Sequence, residues 1–180
     1  MPRGFESLFE ILRTVLVVLI VAFAVRAFVF QPFVVEGQSM EPTFHDRDYL
    51  IVNKYDYRIG TPKRGDVIVF QSPTIPNTNF IKRIIGLPGE VVKIDAKGVV
   101  SVDDKVLGEP YINHDLNPTP ETPPIERFLQ PNEYWVMGDN RNHSSDSRDW
   151  GPLQKSAIIG RAWVTVFPKT DFGVVQVPSY

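Results

Sequence analysis

The chain of 180 residues contains no cysteine. That excludes a catalytic thiol, a disulfide framework and a thiolate zinc site. It fits an exported domain that folds without oxidation, although a cytosolic protein can also lack cysteine. Basic excess is missing as well. Nineteen Lys and Arg stand against 21 Asp and Glu, for a formal net charge of -2, and the basic residues are scattered. A nucleic-acid-binding surface is therefore not expected. No internal repeat of 20–50 residues is visible. After Pro32 no helical periodicity of useful length is found, apart from one turn near Leu153–Ala157. Histidine is scarce. Of three in the chain, His45 and His114 lie in turn-rich stretches expected to be exposed.

What the chain has in quantity is proline and glycine, 16 and 12 residues. They punctuate short runs rich in β-branched residues: Tyr49–Asn53, Asp66–Phe70, Asn79–Ile85, Glu90–Ile94, Val99–Val102, Glu133–Met137 and Ile158–Phe167. Asp95-Ala96-Lys97-Gly98 reads as a hairpin turn between two of them. The fold class expected is mostly β: a compact antiparallel sheet or barrel-like domain with a small β-rich excursion over about 95–130. Within that excursion Asn113–Ile125 is polar, dense in proline and without strand alternation. It is expected to leave the sheet as a mobile segment.

One long apolar run precedes this body. It extends from Thr14 to Phe30, interrupted at Arg26, and would give roughly 26 Å of helix at 1.5 Å per residue. That is short for a ~30 Å hydrocarbon core but within reach if flanking side chains snorkel. The expected organisation is a short tail over 1–13, a transmembrane helix over 14–31 and a domain over 32–180. Proline at position 32 should end the helix. A cleavable signal peptide is the alternative, since Thr14–Val25 has the length of its apolar core and Ala22-Phe23-Ala24 resembles a cleavage box. However, aromatic residues follow that box at once. The charges flanking the run code orientation poorly, because Arg3 and Arg13 share their side with Glu6 and Glu10.

Three segments carry residues capable of chemistry. In Phe80-Ile81-Lys82-Arg83-Ile84, an extended chain places Phe80, Lys82 and Ile84 on one face. Such a lysine would be desolvated. Lowering its reference pKa of about 10.4 to near 8 takes roughly 3–4 kcal/mol, within the range of buried lysines. An edge-strand lysine pointing to water is the bland alternative. In Gly37-Gln38-Ser39-Met40-Glu41-Pro42-Thr43, Gly37 permits an unusual backbone next to Ser39. Such a bend can aim backbone N–H groups at a developing oxyanion. Serine requires a base, and a neutral lysine can be one. The third segment, Gly138–Asp149, is dense in short polar and charged side chains. It follows the strand Tyr134–Met137 and reads either as a solvated loop or as a network orienting catalytic groups.

Together these segments resemble the boxes of bacterial type I signal peptidases (leader peptidases). Ser-Met-x-Pro-Thr, Lys-Arg-x-x-Gly-x-Pro-Gly and Gly-Asp-Asn-Arg-x-x-Ser-x-Asp-Ser-Arg occur in that family's order. Arg64–Phe70 matches a fourth box, and the resemblance runs from about Arg26 to Phe167. It implies a serine endopeptidase with Ser39 as nucleophile and Lys82 as general base. No metal or organic cofactor is implied. Signal-peptide-bearing precursors would be the substrates, cut after small residues at −1 and −3, and the lipid bilayer the other partner. The N-terminus would be cytoplasmic and the domain extracytoplasmic, in the cell membrane or an internal bacterial-type membrane.

The resemblance also assigns supporting roles. Ser144 would orient the lysine amine, Asp146 and Arg148 would support it as a charged pair, and Arg83 with Asp139 would form a second support. Many family members have a serine two residues before the nucleophile to complete the oxyanion hole. Here that position is Gly37, as in shorter members, which leaves the Ser39 N–H to carry more of that role. An extended substrate could add as a strand between Phe33–Glu36 and Asn79–Lys82. Val35, Met40, Phe44, Phe80 and Ile81 are the expected pocket walls, with core packing as their alternative. Three other readings compete: a Ser-His-Asp hydrolase built on His143, Ser144 and Asp139, a self-cleaving repressor with the same dyad, and a non-catalytic membrane-anchored assembly factor on the same fold.

Overall fold

The computed structural model describes residues 3–112, 123–168 and 171–178. Helix α1 (Arg3–Phe28) leads into strands β1 (Phe30–Val34) and β2 (Tyr49–Asn53), the short helix α2 (Asp56–Ile59), β3 (Val67–Gln71) and β4 (Asn79–Gly86). Then come β5 (Val91–Ile94), β6 (Val100–Val102), β7 (Lys105–Val106), β8 (Ile125–Phe128) and β9 (Glu133–Met137). The chain continues through α3 (Ser147–Trp150), β10 (Leu153–Gln154), a 3-10 turn at Lys155–Ala157, β11 (Ile158–Phe167) and β12 (Gly173–Val174). The larger sheet has the order β1-β2-β11-β3-β4-β9-β10, with β12 on β11, and the smaller β7-β6-β5-β8. All strand pairs among the described residues are antiparallel. The mostly-β expectation holds in this form.

Alternation decides which side chains meet. Val67 lies opposite Arg83 and Ile68 opposite Lys82 in the β3–β4 register. Ile68 and Phe70 therefore share a face with Phe80 and Ile84, and together with Val136 and Leu153 they build one core layer. Val67 joins Val35, Met40, Phe44, Leu50 and Ala162 in a layer on the opposite face. A third cluster, with Ile85, Val92, Leu129, Trp135 and Met137, joins the end of β4 to the smaller sheet. A sheet buried on both faces accounts for the unbroken apolar character of Val67–Phe70.

The amino-terminal end differs from the sequence expectation in two ways. The helix begins at Arg3, before the apolar run, and Phe30 and Gln31 already belong to β1, where they pair with Asn53 and Val52. Pro32 lies inside that strand. It is tolerated because β1 is an edge strand, where one flank needs no donor. Val15–Val21 are all at least half exposed, so this stretch of α1 shows apolar side chains all the way round. Among the described residues no helix is long and apolar enough to cross a membrane. Most of the segment expected to be mobile, residues 113–122, lies outside the described residues. Its end, from Ile125, is strand β8 on β5. The Asp95–Gly98 turn forms as expected, with the Gly98 N–H donating to the Asp95 carbonyl at 2.9 Å.

Candidate active site

Ser39 sits in a loop between β1 and β2 that is fastened at its base and plugged from below. The Val35 N–H donates to the Asp48 carbonyl, and the Arg47 N–H to the Val35 carbonyl, both at 2.8 Å. Gly37 has φ of +87°, a conformation that favours glycine, and its N–H donates to Asp46 Oδ1 at 2.8 Å. The next side chain after Ser39, Met40, is fully buried, and Phe44 is buried beside it. Two apolar anchors therefore fix the loop and leave the Ser39 hydroxyl half-exposed above them.

Lys82 reaches that hydroxyl from β4. Its Nζ lies 2.7 Å from Ser39 Oγ and donates to the Ile81 carbonyl at 2.9 Å. The residue is only 4% exposed, and the amine stands 5.3 Å from the centroid of the Phe80 ring. Burial lowers its pKa from the usual 10.5 to about 8, against the upward pull of Asp146 and Asp139 and with help from Arg148. The sequence argument from the Phe80/Ile84 face thus describes the environment found.

The Gly138–Arg148 segment closes over the pair. The Asn140 N–H donates to the Ser39 carbonyl at 3.1 Å. Gly138 is where this approach is closest. A Cβ there would fall 2.3 Å from Ser144 Oγ and 2.5 Å from the Ser39 carbonyl oxygen. Ser144 Oγ donates to Asp146 Oδ2 at 2.7 Å. Asp146 is fully buried. It accepts from the Gly138 N–H at 3.0 Å and from Arg148 Nε and Nη2, both at 2.8 Å. Burial alone would raise its pKa, but the Arg148 guanidinium, the Gly138 N–H and the Ser144 hydroxyl together hold it below the usual value. Asp146 also caps α3 through a capping box with Asp149, and Ser147 Oγ accepts the Val136 N–H at 3.0 Å. The loop is thereby tied to β9.

Next to Lys82, Arg83 points to the other face and is 1% exposed. Its Nε and Nη2 donate to the two Asp139 oxygens at 2.9 and 2.6 Å, and its Nη1 to the Gly65 carbonyl at 2.9 Å. Thr43 Oγ1 donates to Asp139 Oδ2 at 2.5 Å. The two loops that carry Ser39 and Ser144, and the strand that carries Lys82, are thus held together by buried charges with satisfied partners, the condition for such pairs to persist.

A cavity of about 590 Å³ opens onto the dyad. One wall is Pro32–Glu36 at the end of β1 and the other is Asn77–Lys82 leading into β4, with Leu50 and Val69 beneath. Strand β9 pairs with β4 only from Arg83 onward. Among the described residues, one edge of β4 over Asn79–Lys82 therefore has no strand beside it, and neither has the outer edge of β1.

The family model for signal peptidase, peptidase S26, matches residues 8–167. This chain belongs to the signal peptidase family. It is 38% identical to a signal peptidase I of Leptolyngbya laminosa, over 99% of this chain and 90% of that protein. To a signal peptidase I of Bacillus licheniformis it is 34% identical, over 92% of this chain and 95% of the relative. A crystal structure of a signal peptidase I from Enterococcus faecalis V583 is similar with a TM-score of 0.50 at 28% identity, covering 57% of this chain and 97% of that one. The mostly antiparallel architecture is the signal peptidase I fold, and the family is one of serine peptidases.

Of the site residues expected from the signal peptidase boxes, Ser39, Lys82, Ser144, Asp146, Arg148, Asp139 and Arg83 come together in this network. The Ser144 hydroxyl donates to Asp146, and the Lys82 amine bonds to Ser39 and Ile81. Among the expected pocket walls, Val35, Phe80 and Ile81 line the cavity, whereas Met40 and Phe44 do not. Both face down into the core, because the loop needs apolar anchors below it. The rival triad finds no geometry. His143 Nδ1 lies 3.2 Å from Asn140 Oδ1, and Asp139 is taken up by Arg83 and Thr43.

Thr43, Gly138, Ser147, Arg141 and Glu109 also belong to this network, although no role is assigned to them from sequence. The first four lie inside the quoted boxes, so their position was a usable signal. Glu109 lies far from every box, and nothing in its local sequence distinguishes it.

Proposed function

We propose that Ser39 and Lys82 are the nucleophile and general base of a membrane-anchored signal peptidase that removes signal peptides from exported precursors. The 2.7 Å contact between a serine hydroxyl and a buried lysine amine with pKa about 8 carries this reading. A neutral amine can take the Ser39 proton as Oγ attacks the carbonyl carbon of the scissile bond. The tetrahedral oxyanion would be met by the Ser39 N–H. The ammonium form of Lys82 then gives its proton to the leaving amine, and the acyl-enzyme forms. A water deprotonated by Lys82 hydrolyses that ester and restores Ser39. The loop from Gly138 keeps the Ser39 backbone in place through Asn140 and surrounds the lysine with a fixed set of charges.

An extended substrate fits the groove between β1 and β4, along edges that have no strand beside them among the described residues. Bulky side chains at Val35 and Ile81 favour Ala or Gly over larger residues at −1 and −3. Helix α1 supplies the anchor in this reading. A helix hydrophobic all round belongs in lipid rather than water, and the half-exposed Val15–Val21 fit that description. The body over 32–180 would then sit on the extracytoplasmic side. The test is cleavage of an Ala-x-Ala precursor by the full chain in phospholipid vesicles. Cleavage is expected, and its loss in both Ser39→Ala and Lys82→Ala. Normal cleavage by Lys82→Ala would refute the mechanism.

A further inference from the structure

The smaller sheet reaches into the active site through one turn. After β7 the chain runs through Glu109-Pro110-Tyr111, and the Glu109 carboxylate takes both terminal nitrogens of Arg141, with Nη1 on Oε2 at 3.1 Å and Nη2 on Oε1 closer still. The Arg141 side chain is 0% exposed and that of Glu109 6%. A guanidinium so buried requires an anion, and Glu109 is its carboxylate partner. Arg141 holds the active-site loop at two points. Its Nε donates to the Gly138 carbonyl at 3.1 Å, and its own carbonyl accepts from Arg148 Nη2 at 2.9 Å. Tyr111 extends the same turn toward β4. Its hydroxyl donates to Glu109 Oε1 at 2.9 Å, and the Arg83 guanidinium carbon lies 4.1 Å from its ring centroid. One turn therefore grips two cations: Arg83, the chain neighbour of Lys82, and Arg141, which carries the Gly138–Arg148 loop.

We propose that Glu109 is a positioning residue for catalysis, holding the Gly138–Arg148 loop closed over Lys82 through Arg141 while Tyr111 holds Arg83. The inference rests on the reading of Lys82 as the base. With Glu109 neutralised, Arg141 becomes an unpaired buried charge and must move toward water. Gly138, Asn140 and Arg148 move with it, and water gains access to the Lys82 amine. Burial is the largest cause of that amine's lowered pKa. The charges facing the amine are Asp146, Asp139 and Arg148, with Arg83 beside it on β4, and none of them is altered in the variants below. Loss of the Glu109 charge by itself would push the lysine pKa down, whereas an opened loop pushes it up. The sign separates the two.

The experiment labels the full chain, in detergent micelles, with trace amine-reactive reagent across pH 6 to 11 and follows Lys82 by mass spectrometry. Labelling reads the amine directly and needs no cleavage. The wild-type midpoint is expected near 8, and the Glu109→Gln midpoint higher by about one pH unit. Glu109→Asp keeps the charge but lacks one methylene and should fall between them. It decides the matter if the Gln variant fails to fold. On an Ala-x-Ala precursor the Gln variant should lose at least about tenfold in kcat with KM changed far less. An unmoved or lowered midpoint in the folded variants overturns the proposal, even if their thermal stability drops. A wild type that fails to cleave the precursor would refute the proposed function, while the labelling would still decide whether Glu109 governs Lys82.

Discussion

Replacing Lys82 by Met should make the protein inactive and more stable at neutral pH. A fall in pKa from 10.5 to about 8 means that the folded state opposes protonation of this amine. Each pH unit corresponds to about 1.4 kcal/mol, so the opposition amounts to about 3 kcal/mol. Below pH 8 the amine is charged in both folded and unfolded chains, and the folded state bears that cost in full. Between pH 8 and 10.5 the unfolded chain binds more protons than the folded one, so stability rises with pH. Met fills a similar volume without charge. Its removal of two hydrogen bonds from Nζ offsets about 1 kcal/mol for each. The net gain at pH 7 is then about 1 kcal/mol. The firmer quantity is the change in the difference: the wild type should gain about 3 kcal/mol on the variant between pH 7 and 10.5. Urea unfolding followed by tryptophan fluorescence, run on both proteins across that range, measures it. All other titrating groups are common to the pair and cancel. Stability curves that run parallel with pH would refute the claim that Lys82 is held neutral by burial.

Two further substitutions probe the surrounding network. Asp139→Asn leaves the Arg83 charge buried and without its carboxylate, which should lower stability by about 3–5 kcal/mol in the same unfolding assay. Gly138→Ala puts a methyl group against Ser144 Oγ and the Ser39 carbonyl. It should cost about 1–3 kcal/mol and reduce kcat by more than tenfold in the precursor assay, because the displaced atoms include the backbone of the nucleophile.

Much of the fold was legible because strand alternation and turn chemistry agree locally. Strands β2, β9 and β11 coincide with the runs Tyr49–Asn53, Glu133–Met137 and Ile158–Phe167, and the turn at Asp95–Gly98 follows from its residues. The start of β1 was not legible. Phe30 and Gln31 read as the end of an apolar helix, and pairing with Val52 and Asn53 makes them the start of a strand. Helix α3 is four residues long and set by the Asp146 cap rather than by periodicity. At the site, Ser39 and Lys82 are persuasive only together with their boxes, and their contact spans 43 positions. Met40 and Phe44 read from sequence as pocket walls or as core, and the loop's need for anchors turns them inward to the core. Glu109 meets Arg141 across 32 positions. Its partner is set by the packing of one sheet on another, which no local pattern encodes.

The central claim is that a neutral Lys82 activates Ser39, and the pH dependence of kcat/KM for an Ala-x-Ala precursor tests it most directly. The amine must be unprotonated in the free enzyme. The account predicts a rise in kcat/KM through an apparent pKa of about 8, well below the usual value for lysine. A flat profile between pH 6 and 10, or a rise only near 10.5, would contradict it.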